Sequence, residues 1–269
     1  MFPVIVCIAK KEHDYIEEFI QYHLAVGFQH VYLYDNEDTP SYETFLSAYK
    51  DHLTVVHMPF NNFHKGVQYI ALDHFVENYL FKTEISHVAH IDVDEFIALK
   101  KHPNIGAFIE EYIVGDCEGI GMNWRYFGSN GLTEKGSEPI TKRFTMCGST
   151  GNQHVKTLFK KDHFKNYNTV HDVTLSQGHI KATNGTIIVG PFNNEIDLEV
   201  IQLNHYKCKT LPEFRSIRQR QRADIAGPIN EDVDADFAMY NVNEVEDLTA
   251  CCFYQEAVVL PALESPPQN

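Results

Sequence analysis

Asp92 and Asp94 stand two residues apart behind the apolar run His87-Val88-Ala89-His90-Ile91. In an extended chain, residues i and i+2 project to the same side. Two carboxylates beyond a strand end are neutralised by solvent or by a cation, and hard divalent ions such as Mg²⁺ or Mn²⁺ favour such an oxygen-rich setting. An ion held there would in turn neutralise a phosphate or diphosphate. The competing reading is two solvated loop carboxylates.

Other residues suit the same chemistry. Asp35-Asn36 follows the run His30-Val31-Tyr32-Leu33-Tyr34, where a carboxylate can accept from a base or ribose donor; a helix cap or turn would use the same residue types. Lys65-Gly66 precedes a helical pattern, a setting suited to phosphate or simply to a helix start. Asn204-His205-Tyr206-Lys207-Cys208-Lys209 follows another apolar run and leads into Arg215, Arg218, Arg220 and Arg222. His205 could serve as a third metal ligand, with Lys207, Lys209, Arg218 or Arg222 closing on a diphosphate; a structural histidine and a solvated basic face remain the alternatives.

The elements that must position these groups alternate along the first hundred residues. Val4 to Ile8 reads as a strand, Asp14 to Ala25 as a helix stopped by Gly27, and His30 to Tyr34 as a second strand. Tyr42 to Tyr49 reads as helix, Leu53 to His57 as strand, Val67 to Tyr79 as helix, and His87 to Ile91 as a fourth strand. Such alternation predicts an α/β fold with a mostly parallel sheet flanked by helices, in which ligands bind outside the carboxyl ends of the strands. After about residue 115, Gly119, Gly121, Gly128, Gly131, Gly136, Gly148 and Gly151 predict loops and short strands. Ile187 to Val189 and Val200 to Leu203 read as later strands, and Leu211 to Ile225 as a helix.

Composition narrows the class. The chain has 269 residues, 43% hydrophobic and 22% charged, with a formal net charge of −15. That balance argues against a nucleic-acid polymer or an anionic membrane as the main partner. Its distribution is uneven: from Ala223 onward there are ten acids and no Lys or Arg. No apolar run approaches the roughly 18 residues of a membrane span. The first residues read as a strand instead of a signal peptide, and the six scattered cysteines as reduced core thiols. These features predict a cytoplasmic location.

The ordered set of motifs resembles the family 92 glycosyltransferases and the related family 2 set. The resemblance runs through Cys7 to Glu12, Tyr15 to His23, Gly27-Phe28, Tyr32 to Asn36, Gln68 and Ala71, and His90 to Phe96. It continues in Asn123-Trp124-Arg125-Tyr126-Phe127-Gly128 and in Asn204-His205-Tyr206 with Lys209-Thr210 and Glu213-Phe214. Lys11 stands where these enzymes usually carry Asn. The acidic segment after Ala223 has no counterpart in the pattern.

The resemblance implies a GT-A fold over residues 1–225: a nucleotide-sugar-binding half to about 115, an acceptor-binding half over about 116–225, and an acidic extension over 226–269. It implies transfer of a sugar from a nucleotide sugar, UDP-linked, to an acceptor hydroxyl with inversion, assisted by Mn²⁺ or Mg²⁺. Asp92, Asp94 and His205 would hold the metal, with Asp92 able to face the ribose instead. Lys10, Glu12, Asp35, Asn36, Lys65 and Gln68 would join the donor contacts. An inverting transfer also needs a base to take the acceptor proton; Asp172 is expected to fill that role, with His171 the alternative, unless both are structural. Trp124, Tyr126, Phe127 and Gly128 offer an apolar face for a sugar ring, with core packing the alternative. Three rivals share features: a haloacid-dehalogenase-like phosphatase, a nucleotidyltransferase, and a non-catalytic carbohydrate-binding protein on the same fold. The phosphatase expects its Asp-x-Asp in the first strand, and the nucleotidyltransferase expects a Gly-rich loop that Ala9 to His13 does not provide.

Overall fold

The computed structural model describes residues 1–59, 66–218 and 232–252. The first half follows the strand-helix alternation: β1 Pro3–Ala9, α1 Ile16–Val26, β2 His30–Asp35, α2 Tyr42–Phe45, β3 Leu53–His57, α3 Val67–Phe75 and β4 His87–His90. β5 Glu95–Leu99, α4 Ile105–Tyr112 and the ten-residue β6 Cys117–Tyr126 come next. The second half holds α5 Ile140–Arg143, β7 Met146–Cys147, β8 Asn152–Lys160, β9 Phe164–Tyr167, β10 Val173–Leu175, β11 His179–Lys181 and β12 Ile187–Ile188. β13 Ile201–His205, α6 Leu211–Arg218, α7 Val233–Tyr240 and β14 Val245–Glu246 complete the described elements.

One large mixed sheet runs β12-β11-β6-β8-β4-β1-β2-β3, with β13 pairing β5 and β6. The stretch β4-β1-β2-β3 is wholly parallel. β8 runs antiparallel to both β4 and β6 and joins the two halves. Both faces of β1 are covered, so its apolar run is continuous. Ile5, Cys7 and Ala9 pack into one core with α1 and α4, and Val4 and Val6 into the other with α3. From β1 the chain crosses to β2 on one side, while β4 lies on the other. The carboxyl ends of β1 and β4 therefore flank a topological switch point, where α/β sheets bind ligands.

Several sequence expectations are corrected. The helix expected over 42–49 is α2 followed by a 3-10 turn, Ser47–Tyr49. The helix expected over 67–79 leaves α geometry at Phe75 and continues as a π turn, Val76–Leu80. Beyond Arg218, the helix expected to reach Ile225 lies outside the described residues. Gly119 and Gly121, read as loop markers, lie inside β6 at the centre of the second half. A Cβ at Gly119 would come within 2.7 Å of Ile180 Cδ1 and of the Leu158 carbonyl, so close packing and not chain reversal explains that glycine.

The described part of the acidic extension is knitted into the second half. β14 pairs β7. Arg125 binds Asp247 at 2.7 Å, and the Asp247 carboxylate also accepts from Gln202 at 3.0 Å. No helix among the described residues is long and apolar enough to cross a membrane.

Candidate active site

At the carboxyl end of β4 the chain turns through Asp92-Val93-Asp94 into β5, while the Tyr206 amide donates to the Asp94 carbonyl at 2.8 Å. That bond seats the end of β13 against the turn. It brings His205 Nε2 to 3.6 Å from Asp94 Oδ1. A carboxylate and an imidazole at this separation, both mostly buried, have the donor types that a hard or borderline divalent ion accepts.

The Asp92 side chain is engaged differently. Gln68, in the first turn of α3, donates to Oδ1 at 2.8 Å. Lys156, from the middle of β8, reaches Oδ2 at 3.3 Å. Lys156 is wholly buried, donates also to the Val170 carbonyl at 3.2 Å, and lies 3.8 Å from the buried Glu95 carboxylate. The Asp92 amide donates to Glu95 Oε2 at 2.9 Å. Burial alone would raise the Asp92 pKa, but the Lys156 ammonium overrides it and holds the carboxyl below its ordinary range. Burial pushes Glu95 well up against the same ammonium. Among the described residues, no group of three or more His, Cys, Asp or Glu side chains forms a metal-holding set. Asp94 and His205 would hold a divalent ion only with further oxygen donors, of the kind that phosphate and water supply.

Next to His205 lies an aromatic cluster. The Trp124 ring is 4.6 Å from that of His205, 5.3 Å from His171, and stacked on His154 at 4.8 Å. With His154 on its face, Trp124 is a wall of the site, 8% exposed, and not an open platform. Tyr126 remains half-buried, its ring 5.3 Å from His205. Phe127 turns into the core against Tyr206. Gly128 lets the Val242 carbonyl and the Asn243 side chain approach: a Cβ there would clash with both.

The two candidate bases diverge. The Asp172 carboxylate accepts from Asn168 Nδ2 at 3.0 Å and from the Thr169 hydroxyl, closing the turn between β9 and β10. His171 Nδ1 lies 3.2 Å from the Val155 carbonyl, which can only accept, so Nδ1 carries the proton and Nε2 the lone pair. Burial, then Lys156, lowers the His171 pKa to about 4.

The remaining expected residues are scattered over several roles. Asp35 is fully buried and accepts from the amides of Glu37, Ser41 and Tyr42, so its oxygens organise the loop into α2. Asn36 donates to the Met58 carbonyl and Lys10 to Asp38. Glu12 is buried, and its carbonyl accepts from Tyr15 and Ile16 at the start of α1. Lys207 Nζ sits 3.4 Å from the centre of the Tyr240 ring. Lys209, at φ +52°, is buried 4.4 Å from the centre of the Tyr15 ring, its Nζ without a hydrogen-bond partner among the described residues. Arg218 pairs with Asp236. Lys65 and Arg222 lie outside the described residues.

Lys156, His154 and Tyr240 are the site neighbours that sequence reasoning missed. A lysine inside Val155-Lys156-Thr157-Leu158-Phe159 is the one local signal, since a buried strand admits a cation only beside a carboxylate.

The parallel switch point, with a carboxylate-histidine pair at its edge, belongs to a mixed α/β sheet flanked by helices. The family model described as glycosyltransferase family 92 matches residues 2–207, and the chain belongs to that family. No curated protein matches the chain. Among solved structures, the Staphylococcus aureus TarS 1–349 complex with UDP-GlcNAc is 20% identical, with 51% of this chain and 37% of that chain covered and a TM-score of 0.33. HddC from Yersinia pseudotuberculosis is 11% identical over 64% of this chain and 82% of that one, with a TM-score of 0.36. The chain thus spans well under half the length of the TarS chain it matches.

Proposed function

We propose that the chain transfers a sugar from a nucleotide sugar, UDP-linked, to an acceptor hydroxyl with inversion, in a reaction that depends on Mn²⁺ or Mg²⁺. The observation that carries this reading is the Asp94–His205 pair, 3.6 Å apart at the edge of the switch point, in a family 92 chain. A bound divalent ion would supply charge neutralisation for the departing diphosphate. Asp94 and His205 would hold it, and Asp92, locked by Gln68 and Lys156, would present a fixed carboxylate to the ribose side.

His171 is the better base. Its imidazole is neutral above a pKa of about 4, and Nε2 is its acceptor atom because Nδ1 is committed to Val155. Asp172 serves by holding the 168–172 turn that carries His171. Trp124 and His154 shield the reacting centre from water.

Calorimetry with UDP, with and without Mn²⁺, tests the reading together with hydrolysis of a panel of UDP-sugars. UDP binding strengthened by Mn²⁺ and lost in Asp94→Ala is the expected result. Absence of both UDP binding and UDP-sugar turnover in the unaltered chain would overturn it.

A further inference from the structure

Tyr240 lies beyond the stretch matched by the family, at the last position of α7. Three other side chains of that helix are engaged with α6. Asp234 receives two guanidinium nitrogens of Arg215, Asp236 pairs with Arg218, and Phe237 packs on Phe214 at 5.5 Å. Tyr240 instead points back to the site. Its ring is 5.1 Å from that of Tyr126, which is 5.3 Å from His205, the partner of Asp94.

The placement is held from both sides. Asn241 Oδ1 accepts from the Ser129 amide at 2.8 Å, and Asn243 Oδ1 accepts from the Asn130 amide at 2.8 Å. Those amides belong to the turn that directly follows Tyr126. Tyr126, Lys207 and Tyr240 are all half-buried, so a ligand can still reach them. Tyr126 ends β6 and Lys207 follows β13, on the far side of β8 and β4 from the wholly parallel strands β1 to β3, and Tyr240 joins them from the end of α7. A nucleotide at the switch point leaves this side to the acceptor. Paired phenol rings and an ammonium suit a carbohydrate, whose C–H edges pack on rings while its hydroxyls take polar groups.

We propose that Tyr240, with Tyr126 and Lys207, lines the acceptor subsite and selects a carbohydrate acceptor, an inference that rests on the transferase function proposed above. The full-length chain, labelled and applied with UDP and Mn²⁺ to a printed array of several hundred glycans, tests it. The unaltered protein should retain a defined set of glycans. Tyr240→Ala should lose about tenfold or more of that signal while UDP affinity by calorimetry stays within about twofold, and Tyr240→Phe should keep most of it. Tyr240→Leu fills the space without a ring and guards against loss through unfolding. A Leu variant that folds yet stays defective supports the proposal; one that binds glycans like the unaltered chain overturns it. The proposal also falls if the unaltered chain binds UDP but no glycan, or if Tyr240→Ala binds the same glycans equally. Loss of UDP binding in the unaltered chain would instead sink the donor reading.

Discussion

The carboxyl end of β4 and the segment from Lys207 to Asp247 both carry dense charge, and they use it in opposite ways. At β4, the wholly enclosed Glu95 of β5 and Lys156 of β8 meet the partly exposed Asp92 of the intervening turn. In the later segment, Arg215 and Arg218 meet acids of the extension itself, Asp234 and Asp236. Arg215 and Asp234 are both more than half exposed, whereas Arg218 and Asp236 are largely covered. Charge counted along a chain therefore says little about charge available to a ligand. The same basic run that suggests a diphosphate site is partly neutralised by the acidic run that follows it.

The contrast can be broken at several points. Lys156→Met leaves the wholly buried Glu95 without its cation, and breaking a buried pair of this kind costs about 3–5 kcal/mol; urea unfolding should show that loss. On the proposed reading, Asp94→Ala should lower Mn²⁺-dependent UDP-sugar turnover by about a hundredfold or more, because it would remove a ligand of the charge that stabilises the leaving group. A steady-state assay checks it, with the melting temperature little changed.

Acid should weaken the first half through His23. Its Nδ1 lies 2.8 Å from the Phe19 carbonyl, the Ile97 amide donates to its Nε2, and burial lowers its pKa to about 3. The unfolded histidine takes a proton below about 6.5 while the folded one stays neutral, so stability is full above that pH and falls as acid is added. The expected loss from this group is about 2 kcal/mol at pH 5, read as a shift in the urea midpoint that His23→Gln should reduce. In the second half, Gly128→Ala forces a Cβ against the Val242 carbonyl, and overpacking of this kind costs about 1–3 kcal/mol. Its diagnostic consequence is protease sensitivity confined to the stretch after α7. The smallest effect belongs to Asp234→Asn, since an exposed pair contributes about 0–1 kcal/mol; its melting temperature should hardly move.

The first half was legible because parallel strands covered on both faces produce continuous apolar runs, with amphipathic helices between them. Strands β1 to β4 fall within a residue or so of the positions their runs predict. β6 and β8 were not legible. They carry Asn123, Lys156 and Thr157 at buried positions, and each finds its partner only across the fold: Asn123 donates to the Asn152 carbonyl, Lys156 to Asp92, and Thr157 to the His171 carbonyl. At the site, the Asp92–Asp94 pair and His205 stood out by residue type and by their strand ends. The separate surroundings of Asp92 and Asp94, and of His171 and Asp172, did not, because neighbours in sequence face different neighbours in space.

By itself the sequence determined the strand-helix alternation, the acidic pair at a strand end, and the ordered motifs of family 92, because each is written in local spacing. Tertiary structure alone decided that Lys156 faces Asp92 from 64 residues away, that His205 comes to Asp94, and that Tyr240 returns to Tyr126. The physical reason is that a buried charge or ring is tolerated only where distant strands supply its partner, and local pattern holds no record of which strands will meet.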